Sequence, residues 1–197
     1  MEKKNMPVTR EEALKVLSAM NQEDADMLHY LETEAVMRAL AERFGEDADR
    51  WAMLGLLHDV DWAMTKKEQA GHCIMAVEIL EGMGFDAEDI GIIQSHGYGC
   101  NEIPRLAEKE RKEKIEFALA AAETVTGLIY AYALMREKSI TGMEVSKLRK
   151  KYKDKRFAAG CSREIISEIE KAGLSLDEFF ETAINAISGI KDSIGLK

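Results

Sequence analysis

Residues 47–60 read DADRWAMLGLLHDV, an apolar run that ends on an imidazole and a carboxylate side by side, His58 and Asp59. The run suits a short helix lying near the core. Two readings of its end are open at this point: Asp59 caps or steadies His58, or the pair is half of a metal site. A His-Asp dipeptide alone decides nothing, because it recurs by chance. The rest of the chain has to choose.

Helical period dominates on both sides of that run. TREEALKVLSAM opens with Thr9 ahead of Glu12 in the pattern of a capping box. EDADMLHYLETEAVMRALAERFG places Leu28, Leu31, Ala35, Val36, Ala39 and Leu40 on one face and stops at Gly45. KEQAGHCIMAVEILEGMG reads as a further helix, with Ala76, Ile79 and Leu80 recurring at helical spacing, and DAEDIGIIQSHG as another, acidic in its first turn. A loop at YGCNEIP leads through a mixed-charge stretch to a long helix around Ala118 to Leu134. The tail holds SREIISEIEKAG and SLDEFFETAINAISGI, the latter with a capping-box pair, Ser175 and Glu178. No run alternates long enough to predict a strand, and no repeat or linker divides the chain. The expectation is an all-α, single-domain helical bundle over 1–197, with the metal-binding core at about 25–135 and a C-terminal helical extension at about 139–197.

At 197 residues, 46% hydrophobic and 32% charged, the chain is long enough to bury a sizeable core. Its net charge of −9 argues against non-specific nucleic-acid binding and against an anionic membrane surface. The start of the sequence lacks the apolar stretch of a signal peptide, and Glu123 and two threonines interrupt the longest apolar segment, FALAAAETVTGLIYAYALM. Cys73, Cys100 and Cys161 show no CxxC spacing and read as reduced thiols, so a cytoplasmic location is expected.

The four histidines carry the functional signal. His29 shares a face with Val36 and Leu40, His72 lines up with Ala76 and Ile79, and His96 follows Ile92 by one helical turn. Glu123 follows Leu119 by one turn in the most apolar helix. A lone inward histidine is more often a satisfied core residue. On this reading, however, five helices each send a metal-capable group inward, with no matching buried Lys or Arg expected in the same helices. Such groups are costly to bury unpaired, and a divalent cation satisfies them together.

The order His29, His58-Asp59, His72, His96 and Glu123 resembles the HD-domain superfamily of metal-dependent phosphohydrolases. The flanking stretches HYLETEAVMRALAERFGED, WAMLGLLHDVDW, HCIMAVEIL, AAETVTGLI and DKRFAAGCSREII resemble a branch of small HDIG-type predicted hydrolases, over about residues 9 to 188. The resemblance implies a first divalent ion on His29, His58, Asp59 and Glu123, and a second on His72 and His96 with Asp59 bridging. The ions would be one or two of Mn, Fe, Co, Ni, Mg or Zn. It also implies hydrolysis of a phosphate mono- or diester by metal-activated water, the substrate being a nucleotide or similar small molecule. Glu123 departs from the family pattern, which has aspartate there, and its longer side chain shifts the carboxylate by about a bond length.

Asp59, His72, His96 and Asp61 are the candidate catalytic residues: His72 and His96 to grip phosphate or supply a proton if one ion binds, and Asp61 to orient the water or else to cap the next segment. Lys66 and Lys67, and the basic stretch KLRKKYKDKR at 147–156, are candidates to draw phosphate toward the site, against the commoner role of solvated charge. Cys73 adjoins His72 but, on a helix, lies about 100° around from it, which speaks against a metal thiolate. Expected partners are a small phosphorylated substrate, with no nucleic acid and no membrane. Two other readings share the ligand set: a di-iron oxygenase on the same scaffold, and a non-catalytic metal-stabilised regulator that binds a nucleotide or a protein.

Overall fold

A computed structural model describes residues 4–197, and the chain there is helical, with no strand among the described residues. Helix α1 (Arg10–Ala19) begins with the Thr9–Glu12 capping box, each side chain satisfying the other's backbone N–H. Helix α2 (Asp24–Phe44) ends where Gly45 takes a left-handed φ of 71°, as its position predicts. Helix α3 (Ala48–Leu57) is capped by Asp47, whose carboxylate accepts from the N–H groups of Asp49 and Arg50. It lies against α2 so closely that a Cβ at Gly55 would stand 3.0 Å from Met37 Cγ and 3.0 Å from the Thr33 carbonyl oxygen. Glycine is therefore required at that crossing.

A short turn of helix, α4 (Trp62–Thr65), follows, then α5 (Met75–Gly82) and α6 (Ala87–Gln94). The helix expected from Lys67 is shorter than its apolar period suggested. Cys73 sits at a left-handed φ of 62°, a conformation that ends helical propagation in an L-residue. The Asp61 carboxylate takes the Ala76 N–H at 3.1 Å, supplying the start signal for α5. His72 consequently lies in a loop, and its expected alignment with Ala76 and Ile79 on one helix face is not formed.

Helix α7 (Lys114–Met135) is the axis of the bundle. Ala118, Leu119, Ala120, Ala121 and Ala122 are all fully buried, so the helix is enclosed on every side, and its small residues allow neighbours to approach. It is long and apolar enough to cross a membrane, and 67% of its most apolar window is buried inside the protein.

The C-terminal part packs on the same core. Helix α8 (Val145–Lys153), α9 (Arg163–Ser167) and α10 (Leu176–Gly189) contribute Leu148, Ile166, Phe179 and Phe180 to the cluster that also contains Leu40, Leu57 and Val125. Ser175 and Glu178 form the expected capping box. Arg163 ties the 151–161 segment together, its guanidinium donating to the carbonyls of Tyr152, Ala158, Cys161 and Asp154 at 2.6–3.1 Å.

The basic stretch 147–156 runs along α8 and just beyond it, with several of its charges engaged locally. Lys147 pairs with Glu144, Arg149 with Asp177 and Arg156 with Asp154, while Lys151 lies over the rings of Tyr132 and Phe157.

Candidate metal centre

His58 ends α3, and its Nδ1 lies 2.7 Å from the Gly55 carbonyl oxygen in the last turn of its own helix. His96, in the 3-10 turn after α6, repeats the device with Nδ1 2.6 Å from the Ile93 carbonyl oxygen. In both, the ring donates Nδ1–H to a helix-end carbonyl. His72 directs Nδ1 at Asp61 Oδ1, 2.9 Å away. His29, on α2, places Nδ1 3.0 Å from Thr126 Oγ1, and that hydroxyl donates to the Glu123 carbonyl oxygen at 2.6 Å. Its remaining capacity is as acceptor, so His29 also donates from Nδ1.

All four imidazoles are thus held with Nδ1 as the donor, which leaves each Nε2 as the atom that can ligate. These atoms converge. His29 Nε2 and His58 Nε2 are 3.1 Å apart, and His72 Nε2 and His96 Nε2 are also 3.1 Å apart. Asp59 stands between the pairs: Oδ1 is 3.1 Å from His96 Nε2, 3.4 Å from His72 Nε2 and 3.5 Å from His58 Nε2, while Oδ2 is 4.0 Å from His29 Nε2.

Lone pairs facing one another across 3.1 Å repel unless a cation or a proton lies between them. The electrostatics show the same demand. Burial opposes the charge on Asp59, yet His58, His96 and His72 hold its carboxyl well below the usual range. Burial likewise opposes charge on His72, but Asp61, Cys73 and Asp59 around it raise it to about 10. Burial pushes His58 down to about 3 against the pull of Asp59. Without a metal, positive charge on His72 is what balances Asp59. The donor set of imidazoles and a shared carboxylate fits a divalent cation, which would supply that charge instead.

Among the sequence candidates, His29, His58 and Asp59 form one group with ligand atoms within 4.8 Å of one another, and His72 and His96 belong to a second. Glu123 lines the same cleft but does not join the first group. Its Oε1 accepts from the neighbouring Thr124 hydroxyl, and burial raises its carboxyl above the ordinary value. Asp61 is completely buried behind His72 and accepts from His72 and from Ala76. It therefore positions the imidazole and starts α5, and it does not face the cleft where a water would be oriented. Lys66 is engaged by Glu23 and Asp26, and no residue of the basic stretch 147–156 lines the cleft.

The expected placement of Cys73 is also corrected. With no helix at residues 72–74, the thiol is not turned away, and its Sγ lies 3.5 Å from His96 Nε2. Sequence reasoning missed three supports. Thr126 holds His29. Arg111 donates to the carbonyls of Ser95 and Tyr98 at 2.7 and 3.1 Å and pairs with Glu168, fixing the turn that carries His96. Gly97 leaves room for the Cys73 sulfur, since a Cβ there would come within 2.8 Å of it. Only Arg111 left a trace, as one cation in the mixed-charge stretch before α7.

The cleft has a volume of about 760 Å³, within the range of small-molecule sites. Its floor is Asp59, His29, His72 and His96, and its walls include Trp62, Tyr98, Arg111, Ser162, Glu164 and Glu168. Residues from beyond Ser139 therefore complete one wall.

Comparison with known families agrees with this geometry: the HD domain family matches residues 27–118, which span His29, His58-Asp59, His72 and His96. The chain carries an HD domain. The HD superfamily is generally one of metal-dependent hydrolases, and an all-helical chain with His/Asp groups able to hold a metal ion is consistent with that match. Among curated proteins, ribonuclease Y of Mycoplasma capricolum subsp. capricolum is 26% identical over 100 residues, 51% of this chain and 18% of that protein. Ribonuclease Y of Mycoplasma mycoides subsp. mycoides matches to the same extent, and one from Mycoplasma mycoides is matched over 22% of its length. The chain thus spans roughly a fifth of the length of these relatives. No solved structure matches it significantly.

Proposed function

We propose that this HD domain hydrolyses the phosphate ester of a small molecule, of which a nucleotide is the class the family resemblance suggests. The observation that carries the proposal is the convergence of four Nδ1-anchored imidazoles on Asp59. His29 and His58 with Asp59 would hold one divalent ion, and His72 and His96 with Asp59 a second. Bound ions of this kind polarise phosphoryl oxygens and lower the pKa of water. The chain's own residues supply the positioning. Asp59 stands between the pairs, with Oδ1 near His58, His72 and His96 and Oδ2 toward His29. Asp61 and Thr126 fix the planes of His72 and His29, and Arg111 holds the His96 turn against Glu168. Phosphoryl transfer asks a protein mainly for such positioning and charge compensation, so no side-chain nucleophile is needed.

The curated relatives are named as ribonucleases, and RNA offers the same phosphodiester. Asp26, Glu123, Glu164 and Glu168 line this cleft, however, in a chain of net charge −9. A polyanion held through many phosphate contacts is poorly served by that surface. A small ester whose single phosphate meets the metals is served better.

The test is a panel of nucleoside monophosphates, generic phosphomonoesters and diesters, and a single-stranded oligoribonucleotide, assayed with protein reconstituted with Mn, Fe, Co, Ni, Mg or Zn. Turnover of a small ester is expected, and its loss in Asp59→Asn. Fully metallated protein that turns over nothing in the panel would sink the proposal, and turnover of the oligoribonucleotide alone would replace the substrate class.

A further inference from the structure

Cys73 is fully buried, and its thiol is aimed at the centre rather than lost in the core. The sulfur belongs with His72 and His96 to a group whose ligand atoms all lie within 4.8 Å of one another. It reaches that position at a cost, because Cys73 adopts φ +62°, a conformation disfavoured for a residue with a Cβ. Gln94 Nε2 donates to the Cys73 carbonyl at 3.0 Å and holds the residue there. Gly97 opposite leaves the space the sulfur fills. A strained residue fixed by its surroundings beside a reactive centre points to a role in that centre.

We infer that Cys73 is a ligand, and that the second ion of the centre is held by Asp59, His72, Cys73 and His96. This rests on the proposal that the site binds metal. In a tetrahedral site with metal–nitrogen bonds of about 2.0–2.1 Å and metal–sulfur bonds of about 2.3 Å, donor atoms stand roughly 3.3 Å apart for two nitrogens and roughly 3.6 Å for nitrogen and sulfur. Here His72 Nε2 and His96 Nε2 are 3.1 Å apart, and His96 Nε2 and Cys73 Sγ 3.5 Å. Asp59 Oδ1 completes the set at 3.1 and 3.4 Å from the two imidazoles.

Two consequences follow. A thiolate selects zinc, iron or cobalt over magnesium and calcium. Four protein donors also close the second position, whereas His29, His58 and Asp59 leave the first open, as a catalytic position requires. The centre is then asymmetric, with one closed ion that fixes the carboxylate and one open ion that meets substrate.

Cobalt(II) alone is the probe. The full chain is loaded with cobalt, its metal content measured, and its near-ultraviolet spectrum compared with those of Cys73→Ser and Cys100→Ser. A thiolate-to-cobalt charge-transfer band in the wild type and in Cys100→Ser, lost in Cys73→Ser, is the expected result. Cobalt bound without that band, or a band that survives in Cys73→Ser, overturns the assignment while leaving the metal reading intact. Failure to bind cobalt overturns both. Should Cys73→Ser not fold, X-ray absorption of the zinc-loaded wild type decides: a sulfur neighbour at about 2.3 Å supports ligation, and a shell of nitrogen and oxygen alone refutes it.

Discussion

Asp61→Asn is the sharpest probe of how the centre is built, because it keeps the size of the side chain while changing its charge and its hydrogen-bonding. Asp61 uses both oxygens as acceptors, Oδ1 from His72 Nδ1–H at 2.9 Å and Oδ2 from the Ala76 N–H at 3.1 Å. An amide has one acceptor and one donor, so its nitrogen must face one of those N–H groups. If it faces His72, the imidazole moves its proton to Nε2 and gives up the lone pair aimed at the ion. Loss of such an orienting partner lowers metal affinity by about 10–100-fold, on the order of 1.4–2.7 kcal/mol. If it faces Ala76, affinity survives but α5 loses its start signal, and an unsatisfied buried N–H costs about 1–3 kcal/mol. The ion proposed at His29 and His58 would be spared either way, since their Nδ1 partners are Thr126 and Gly55. Titration against a chromophoric chelator resolves the affinities, and a urea melt of metal-free protein reads the stability. Affinity and stability that both match the wild type would refute this account of Asp61.

Three further outcomes follow from the structure. Glu32 is 3% exposed, its Oε1 has no hydrogen-bond partner among the described residues, and burial pushes its carboxyl up to about 8. The folded state keeps a proton that the unfolded state releases, so wild-type stability falls as pH rises from about 4.5 to about 8. Glu32→Gln should match the wild type at pH 4 and exceed it by several kcal/mol at pH 9, and a pH-independent gap in denaturant melts would contradict this. Arg163→Lys should destabilise by at least about 2 kcal/mol, because an ammonium cannot reach the six carbonyls that the guanidinium serves; a loss under 0.5 kcal/mol in urea would argue against that hub. Stripping metal with a chelator should lower the melting temperature by roughly 5–10 °C for an ion held at about 100 times its Kd, reversibly on adding metal back, and an unchanged melt would show that no metal had been stabilising the fold.

Much of the fold was legible from period and capping. Thr9 with Glu12, Gly45, and Ser175 with Glu178 mark real helix ends, and the buried stripe of α2 and the alanines of α7 follow from apolar spacing. The histidines and Asp59 were legible because chemistry left few other uses for inward-facing imidazoles. The segment 67–74 was not, since its apolar period continues smoothly into α5 while a left-handed Cys73 and a carboxylate from Asp61 set the actual start. That single error hid the thiol and misplaced His72. Asp61, Thr126 and Arg111 act through tertiary contacts that no local pattern encodes. The basic stretch was conspicuous in sequence, yet several of its charges meet neighbouring carboxylates and rings and none lines the cleft, so charge density alone was a poor guide to the site.

The central claim is that the convergent imidazoles and Asp59 form a metal centre. Elemental analysis of protein purified without chelator, then reconstituted and desalted, tests it most directly, with Asp59→Ala alongside. About two ions per chain in the wild type and fewer than one in Asp59→Ala are expected, as a shared carboxylate between paired ions requires. A wild-type protein that retains no divalent ion after reconstitution would contradict the account.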